Sequence, residues 1–404
     1  MVFVETIFSV RRIPLWFNRS ENTHAIVTDI MKHGPLSRSQ LAVTHRLSQG
    51  TLSKITNSLI EAEILREEGP REEPSGLKSP ANRGRPQTAL SINAAARTYI
   101  GVNVRTHECV LVLTNAMCQA LAPHITLHYV DNRPDMVTQT IADGVDQILY
   151  TVKRQGLPFP SAIGVTVGGH VTSGNTVTAA PFLQWNGAVN LADMISKACQ
   201  IPTAIFNDLD SLLIYESWFG AGRNVDRFAM LTIGLGIGYS LCENGRGVDY
   251  PDKSYGLASH ILVDPEGPTC YAGHKGCSQC LTTTSMAVQY TNLMREPETF
   301  DSFKRDLDAG NPIAQQLMNL TCFRVGAFIA TIANLVMPQK ILIGGESAQL
   351  TLTSLESIRN GIARYRHSRA GEVNFEILQN EWERWSLSGA ARVISQSVIK
   401  RPGE

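Results

Sequence analysis

The chain has 404 residues, of which 43% are hydrophobic and 18% are charged, and its 36 basic and 36 acidic residues give a formal net charge of zero. This length fits about two or three domains, and the balanced charge excludes a whole-chain field that would draw the protein to nucleic acid or to a membrane surface. No apolar run approaches the about 18 residues of a membrane helix, and the first residues lack the features of a signal peptide. We therefore expect a cytoplasmic protein.

The first segment predicts three short helices. Residues 20–33 have the periodicity of a helix, and Gly34 ends it. Ser37 and Gln40 have the spacing of a capping box at the start of a second helix. After a turn, Ser48 is placed to cap a third helix. Three short helices with a tight turn before the last are typical of a helix-turn-helix.

The third helix has an apolar face and a polar face. Leu52, Ile55 and Leu59 fall at i, i+3 and i+7 and predict a buried stripe. Short polar groups and one cation on the other face suit base edges and phosphates in a major groove. A solvated face of an ordinary bundle is the alternative. The predicted DNA contacts are Ser48, Gln49, Thr51, Ser53, Lys54 and Asn57.

The segment after Leu65 is polar and dense in Gly and Pro, until residues 88–92 alternate like a strand. This pattern predicts a hairpin wing followed by a linker, so that the DNA-binding domain spans residues 1–92. Arg83 and Arg85 are predicted DNA contacts, because Arg suits a narrow minor groove. A flexible basic linker is the alternative for these two residues.

From Tyr99 onward, apolar strands ending in Gly or Asn-Asp alternate with helical stretches, which predicts a layered α/β body. Several motifs in this order resemble the ROK family (repressors, open reading frames, kinases), and in particular its repressor branch with an N-terminal winged helix. The motifs are Gly84-Arg85-Pro86, Val167-Gly168-Gly169-His170-Val171, Ala180-Pro181 with Trp185, Asn207-Asp208, Gly234-Leu235-Gly236-Ile237-Gly238, His260 with Val263-Asp264-Pro265, and Gly344-Gly345.

The resemblance implies the fold class α/β, with a winged helix-turn-helix followed by a two-lobed body of actin/hexokinase type. We expect a first lobe at residues 98–207, completed by a C-terminal helix at 386–400. A second lobe is expected at residues 208–385, and it contains a cysteine-rich loop.

The resemblance also implies that the kinase activity of the family is lost here. The first phosphate loop of the kinases reads D-x-G-G-T, whereas this chain has Asn103-Val104-Arg105-Thr106-His107 at that place. The second loop has Leu235 in place of a hydroxyl residue. A backbone cradle for a triphosphate needs small residues, so we predict that the protein is not an enzyme and has no catalytic residue. An ATP-dependent sugar kinase is the remote alternative.

The family's sugar contacts are only partly kept. Asn207 and Asp208 match the sugar-contacting pair, although Asn-Asp at a strand end also caps a following helix. Two family glutamates are replaced, by Leu257 and by Gln279, which disfavours ordinary sugars because their hydroxyls would be left unpaired. The predicted ligand contacts are Gly169, Asn207, Asp208, Leu257, His260 and Gln279, and the effector is a small carbohydrate or a sugar phosphate.

Three of the eight cysteines lie in the stretch CYAGHKGCSQC, from Cys270 to Cys280. The family's structural zinc uses a histidine and three cysteines, and His260, Cys270 and Cys277 match three of these positions. Ala272 stands where the remaining cysteine belongs, so the predicted zinc site is incomplete. Cys280 or His274 can supply a fourth ligand if the loop bends. Loss of the zinc is the alternative.

These features together predict a DNA-binding transcriptional regulator that represses carbohydrate genes. Its partners would be a double-stranded operator and a small carbohydrate effector between the lobes, and a homodimer or tetramer would present two recognition helices. No membrane partner is expected. The alternative is a regulator controlled by a protein partner, with a sugar pocket that no longer senses.

Overall fold

The computed structural model describes residues 12–69, 88–172, 174–249, 256–379 and 382–399. The chain divides into two compact units, which are Met1–Asn224 with Trp382–Glu404 and Val225–Glu381. The first unit contains the helix-turn-helix region and an α/β body, and the second contains another α/β body.

The helices and strands of the described residues are numbered in chain order. The helices are α1 (Glu21–His33), α2 (Arg38–Thr44), α3 (Gln49–Glu61), α4 (Pro134–Gln155), α5 (Leu191–Cys199), α6 (Asp208–Trp218), α7 (Thr283–Met294), α8 (Phe300–Asp308), α9 (Pro312–Val336), α10 (Leu355–Tyr365) and α11 (Trp382–Val398). The strands are β1 (Leu36–Ser37), β2 (Leu65–Glu68), β3 (Ala89–Ile92), β4 (Thr98–Arg105), β5 (Glu108–Asn115), β6 (Ile125–His128), β7 (Pro160–Val167), β8 (His170–Thr172), β9 (Thr176–Ala179), β10 (Thr203–Asn207), β11 (Arg227–Ile233), β12 (Ile237–Glu243), β13 (Arg246–Gly247), β14 (Lys340–Gly344) and β15 (Phe375–Ile377).

The three N-terminal helices form as predicted, and their caps explain where they begin. Ser37 Oγ accepts from Gln40 N–H at 3.2 Å, and Gln40 Oε1 accepts from Ser37 N–H at 2.8 Å, which completes the capping box of α2. Ser48 Oγ accepts from Thr51 N–H at 3.1 Å at the start of α3. Helix α1 ends at Gly34, whose φ of 88° favours glycine.

A three-stranded antiparallel sheet in the order β1-β3-β2 accompanies these helices. The strand predicted at residues 88–92 is observed as β3. Residues 70–87, which include Arg83, Arg85 and the Gly84-Arg85-Pro86 tail, lie outside the described residues. The DNA contacts assigned to Arg83 and Arg85 therefore stay predictions.

The helix-turn-helix and the first α/β body share one hydrophobic core. Leu52 of α3 belongs to the same contiguous cluster of buried residues as Tyr99 of β4 and Trp218 of α6. Ahead of α1, Trp16 donates its backbone N–H to Ser397 O at 3.0 Å and its indole Nε1–H to the Tyr99 hydroxyl. The segment before α1 thus packs against both β4 and α11.

The first α/β body has a five-stranded sheet in the order β10-β7-β4-β5-β6, in which β10, β7 and β4 are parallel. Helix α11 packs on β4 and β7 with direct backbone contact. A Cβ on Gly101 would lie 2.0 Å from Ser386 O, and a Cβ on Gly164 would lie 2.0 Å from Gly389 O. Only glycine fits at these two strand positions.

The compact units divide after Asn224, whereas the sequence placed the division of the lobes after Asn207. The difference is helix α6, which the sequence assigned to the second lobe. Glu216 of α6 is fully buried and forms an ion pair with Arg384 of α11. This contact helps to hold α6 in the first unit.

The second unit has a five-stranded sheet in the order β13-β12-β11-β14-β15, with α7 to α10 as its helices. Among the described helices, α9 alone is long and apolar enough to cross a membrane. Its most apolar window is 61% buried inside the protein, which is the pattern of a core helix.

Candidate functional site

The outward face of α3 carries the side chains that the sequence assigned to DNA. Ser53 is half-buried, and the other five predicted contacts in this region are exposed. The exposed set consists of Ser48, Gln49, Thr51, Lys54 and Asn57. Four polar groups and one cation at the start and along the length of α3 are therefore accessible to solvent.

Arg38, at the start of α2, links α3 to strand β2 of the three-stranded sheet, which is called the wing sheet below. Its Nε–H donates to Thr56 Oγ1 at 3.1 Å and its second terminal nitrogen donates to Asn57 Oδ1 at 3.3 Å. The same guanidinium pairs with Glu67 of β2 at 2.8 Å. Sequence reasoning missed this residue, although a cation in the first turn of a helix opposes the helix dipole and is a signal of another role.

In the first unit, the structure brings Gly169, Asn207 and Asp208 together. Asn207 Nδ2 donates to Gly169 O at 2.8 Å, and Asn207 Oδ1 accepts from Asp210 N–H at 3.0 Å. Asn207 thus caps α6, as the alternative interpretation expected, and it also holds the glycine loop.

The Asp208 carboxyl lies against this glycine loop. Its Oδ1 accepts from Leu209 N–H at 2.8 Å, and a Cβ on Gly168 would lie 3.2 Å from Oδ2. Burial raises the pKa of Asp208 from its ordinary value of 3.8 to about 6. The group is a polar acceptor in a place where charge is disfavoured.

The remaining predicted ligand contacts lie in the second unit, on two short 3₁₀ helices. Leu257 and His260 are on the first, at Leu257–His260, and Gln279 is on the second, at Ser278–Leu281. Ser278 Oγ donates to Ala258 O at 2.6 Å and joins the two. Leu257 is 51% exposed. An apolar side chain is therefore accessible to solvent at the position where the family has a glutamate.

Four side chains of the cysteine-rich segment form a group that can hold a metal ion. Their ligand atoms all lie within 4.8 Å of one another, and the group is His260, Cys270, His274 and Cys277. His274, one of two alternatives from the sequence, completes the set in place of the missing cysteine at Ala272. Cys280 is outside this group and is buried.

The distances from His260 Nδ1 to the other three ligand atoms are close to those of a tetrahedral zinc site. Bonds of about 2.0–2.1 Å to nitrogen and about 2.3 Å to sulfur require N···N near 3.3 Å and N···S near 3.6 Å. His260 Nδ1 lies 3.0 Å from His274 Nδ1, 3.7 Å from Cys270 Sγ and 3.9 Å from Cys277 Sγ. Burial and the nearby His274 lower the pKa of His260, which favours the neutral imidazole that binds metals.

A buried ion pair anchors this loop to the core. Arg324 of α9 is 4% exposed and pairs with Asp264 at 2.8 Å. A Cβ on Gly276 would lie 1.6 Å from Asp264 O. The backbone at Gly276 therefore packs directly against the backbone at Asp264 and leaves no room for a side chain. The position of Cys277, next to Gly276, is fixed by this close approach.

The model of the ROK family matches residues 99–397. The chain belongs to the ROK family. The family accounts for the α/β body at residues 99–397, and the helix-turn-helix with its three-stranded sheet precedes that body, as predicted.

Two regulators illustrate the likeness in sequence. The chain is 24% identical over 398 residues to the DNA-binding transcriptional dual regulator NagC of Escherichia coli K12, covering 94% of this chain and 93% of NagC. It is 20% identical over 384 residues to the xylose repressor of Bacillus subtilis strain 168, covering 95% of each.

Solved structures show the same fold. A ROK family transcriptional regulator, described as a homolog of the E. coli MLC protein, has a TM-score of 0.74 at 22% identity over 94% of this chain and 96% of that chain. The ROK hexokinase from Thermus thermophilus has a TM-score of 0.59 at 18% identity, over 72% of this chain and 97% of that chain. The regulator thus matches more of this chain than the kinase does.

At the place of the first kinase phosphate loop, this ROK chain has a tight turn between β4 and β5. Arg105 forms an ion pair with Glu108 across the turn. Its guanidinium lies 3.2 Å from the ring centroid of Trp382, so the side chain is held between an acid and an aromatic ring. Glycines stand at this point in the kinases.

At the second loop, a carboxylate lies on the backbone that would cradle phosphate. Glu346 Oε2 accepts from Leu235 N–H at 3.3 Å, and a Cβ on Gly234 would lie 3.2 Å from the same oxygen. An anion in this position repels a phosphate group. The sequence reasoning missed Glu346, although it directly follows the Gly344-Gly345 motif.

Proposed function

We propose that the protein is a DNA-binding transcriptional regulator that represses carbohydrate genes and is not an enzyme. The observation that carries this proposal is the exposed polar face of α3, held on the same hydrophobic core as a ROK body. The names of the related regulators from E. coli and B. subtilis support it. The α3 contacts would be made to a double-stranded operator.

The test is binding of the purified protein to the DNA upstream of its own gene, at fixed salt. We expect tight binding that falls steeply as salt rises, because phosphate contacts release counterions. Lys54→Ala should weaken binding to all sequences and reduce the salt slope by about 1. A salt slope that stays unchanged in Lys54→Ala would contradict a phosphate contact.

We propose a small carbohydrate or a sugar phosphate as the effector. In the first unit, the polar contacts would come from Gly169, Asn207 and Asp208. His260 and Gln279 remain the polar contacts that the sequence predicts in the second unit. Exposed Leu257 favours a sugar that lacks or blocks one hydroxyl, since a polar group there would lose its partner. A panel of sugars added to the DNA complex should yield one compound that releases it. Release by no compound would favour control by a protein partner.

The kinase alternative is disfavoured by two contacts. Arg105 is fixed beside Glu108 at the first phosphate loop, and Glu346 lies on the second. We expect no ATP consumption above background with any sugar of the same panel. Sugar-dependent ATP consumption would overturn the assignment as a non-enzyme.

We propose that the metal is a structural zinc ion, held by His260, Cys270, His274 and Cys277. Two imidazoles and two thiolates are a complete tetrahedral set, with no open position for catalysis. Such an ion would hold the loop and orient His260, whose Nε2 lies 3.3 Å from the Tyr271 hydroxyl.

Elemental analysis of protein purified without added metal tests this site. We expect about one equivalent of zinc in the wild type, and well under half an equivalent in His274→Ala. Cys280→Ala is the matched control, because Cys280 lies in the same segment but outside the ligand group, and it should keep its zinc. Wild-type protein with well under half an equivalent would overturn the proposal.

We also propose a homodimer or a dimer of dimers, since two recognition helices are needed to read a pseudo-palindromic operator. Light scattering on the purified protein measures this directly. A solution mass equal to the 44.3 kDa of one chain, at the concentrations where DNA binds, would contradict it.

A further inference from the structure

We infer that Arg38 determines which base Asn57 reads, by fixing the orientation of the Asn57 side-chain amide. The inference rests on the proposed DNA-binding function and adds the base chemistry that one position of α3 recognises.

Arg38 contacts the side chain of Asn57, which is exposed on α3. Arg38 is the first residue of α2, where the helix dipole disfavours a cation. Three partners compensate for this, and its side chain is 25% exposed. The partners are Thr56 Oγ1 at 3.1 Å, Asn57 Oδ1 at 3.3 Å and Glu67 Oε1 at 2.8 Å.

The contact leaves the Asn57 amide only one orientation. A guanidinium carries donors and no acceptor, so the atom of Asn57 that faces Arg38 has to be the carbonyl oxygen Oδ1. The amide nitrogen Nδ2 is then on the far side from Arg38, and Asn57 is exposed. Asn57 therefore presents a pair of hydrogen-bond donors to the groove.

Donors and acceptors differ among the bases at the floor of the major groove. Guanine presents two acceptors, N7 and O6, whereas adenine and cytosine each present an amino donor. An asparagine with a free amide pairs with adenine through both Oδ1 and Nδ2. With Oδ1 facing Arg38 and Nδ2 facing away from it, Asn57 should favour guanine over adenine and cytosine.

Glu67 completes the arrangement from the wing sheet. Its carboxylate neutralises the charge of Arg38, while the bonds to Thr56 and Asn57 position the guanidinium. The pair also gives a physical role to an acidic residue on β2, next to a surface that binds an anionic polymer.

The experiment is selection of binding sites from a random duplex library, followed by competition between duplexes that differ at one base pair. The position read by Asn57 is the one whose preference disappears in Asn57→Ala. There, wild-type protein should prefer guanine to adenine by about fivefold or more. Arg38→Ala leaves the Asn57 amide free to turn over. The preference for guanine should then disappear, and the variant should favour adenine.

Two further variants distinguish a role of Arg38 in orienting the Asn57 amide from a purely structural role of Arg38. Asn57→Asp keeps an oxygen for Arg38 but replaces the outward donor by an acceptor, so its preference should move to cytosine. Glu67→Gln is the matched control, since it removes the ion pair and leaves the Asn57 contact, and it should keep the guanine preference. Circular dichroism melting establishes that each variant is folded.

The outcomes are distinguishable. Equal weakening of all four duplexes by Arg38→Ala, or a guanine preference that survives in it, would overturn the inference and leave Arg38 a structural brace. An Asn57→Ala variant with unchanged preferences would overturn it as well. Failure of the wild type to enrich any sequence would instead refute the proposed DNA-binding function.

Discussion

At the residue scale, the Asp208 carboxylate lowers the stability of the folded protein, and it is also a proposed contact for the effector. The folded state raises the pKa of this carboxyl from 3.8 to about 6, because partial burial disfavours its charged form. The folded protein therefore holds the proton more tightly than the unfolded chain does. The ionised group begins to destabilise the fold above about pH 4, and the effect is complete above about pH 6.

Asp208→Asn should therefore raise the free energy of unfolding at pH 7.5 by about 1–2 kcal/mol, and the gain should shrink as the pH falls toward 4. Urea unfolding at several pH values measures both. Asp193→Asn, in the first turn of α5, is the control for loss of a carboxylate near a helix start. A gain that does not depend on pH would contradict the stated cause. The same variant should respond less to the effector, since a carboxylate oxygen is lost.

At the element scale, the packing of α11 against the first five-stranded sheet requires glycine at position 101 of β4. Gly101→Ala places a methyl group against Ser386 O, and a backbone oxygen inside a helix has little freedom to move. We expect a loss of about 3 kcal/mol or more in the free energy of unfolding, measured by denaturant titration.

Gly50→Ala is the opposite case and serves as its control. Gly50 lies in α3 with nothing within 4 Å of its added Cβ. Alanine should stabilise this helix by about 0.5–1 kcal/mol, because it restricts the unfolded chain. Destabilisation of similar size by both variants would show that steric contact with α11 is not the cause at Gly101.

Sequence predicted best what local chemistry decides. The capping box of Ser37 and the cap of Ser48 fix where α2 and α3 begin, and both act within a few residues. The placing of α6 in the first unit depends instead on Glu216 and its distant partner Arg384, which no local pattern reports. The sequence left the fourth metal ligand open for the same reason, since only the folded loop places His274, and not Cys280, beside the other three ligand atoms.

At the scale of the whole molecule, the DNA-binding helices are built into the first unit. Trp16 is 8% exposed, and the guanidinium of Arg97 lies 5.2 Å from its ring centroid. Residues 93–97 lead from β3 into β4 with one short 3₁₀ turn. The helix-turn-helix is thus joined to its body by side-chain packing as well as by the chain.

Trypsin should consequently cleave slowly after Arg97 in the wild type, because the side chain is held on Trp16. Trp16→Ala should speed this cleavage severalfold, as followed by mass spectrometry of the fragments. Tyr271→Ala removes an aromatic ring that is 85% exposed, and it should leave the rate unchanged. Cleavage after Arg97 that is equally fast in wild type and Trp16→Ala would show that the packing does not protect the connection.

The bond from Trp16 N–H to Ser397 O bears on how such regulators can be recombined. An engineer who exchanges the DNA-binding module with that of another regulator would naturally cut the chain once, between β3 and β4. That single crossover would separate Trp16 from α11 and from Tyr99, and would leave an apolar seam on both fragments. A working chimera needs a second crossover near the carboxyl end, so that the first and last segments of the chain are inherited together.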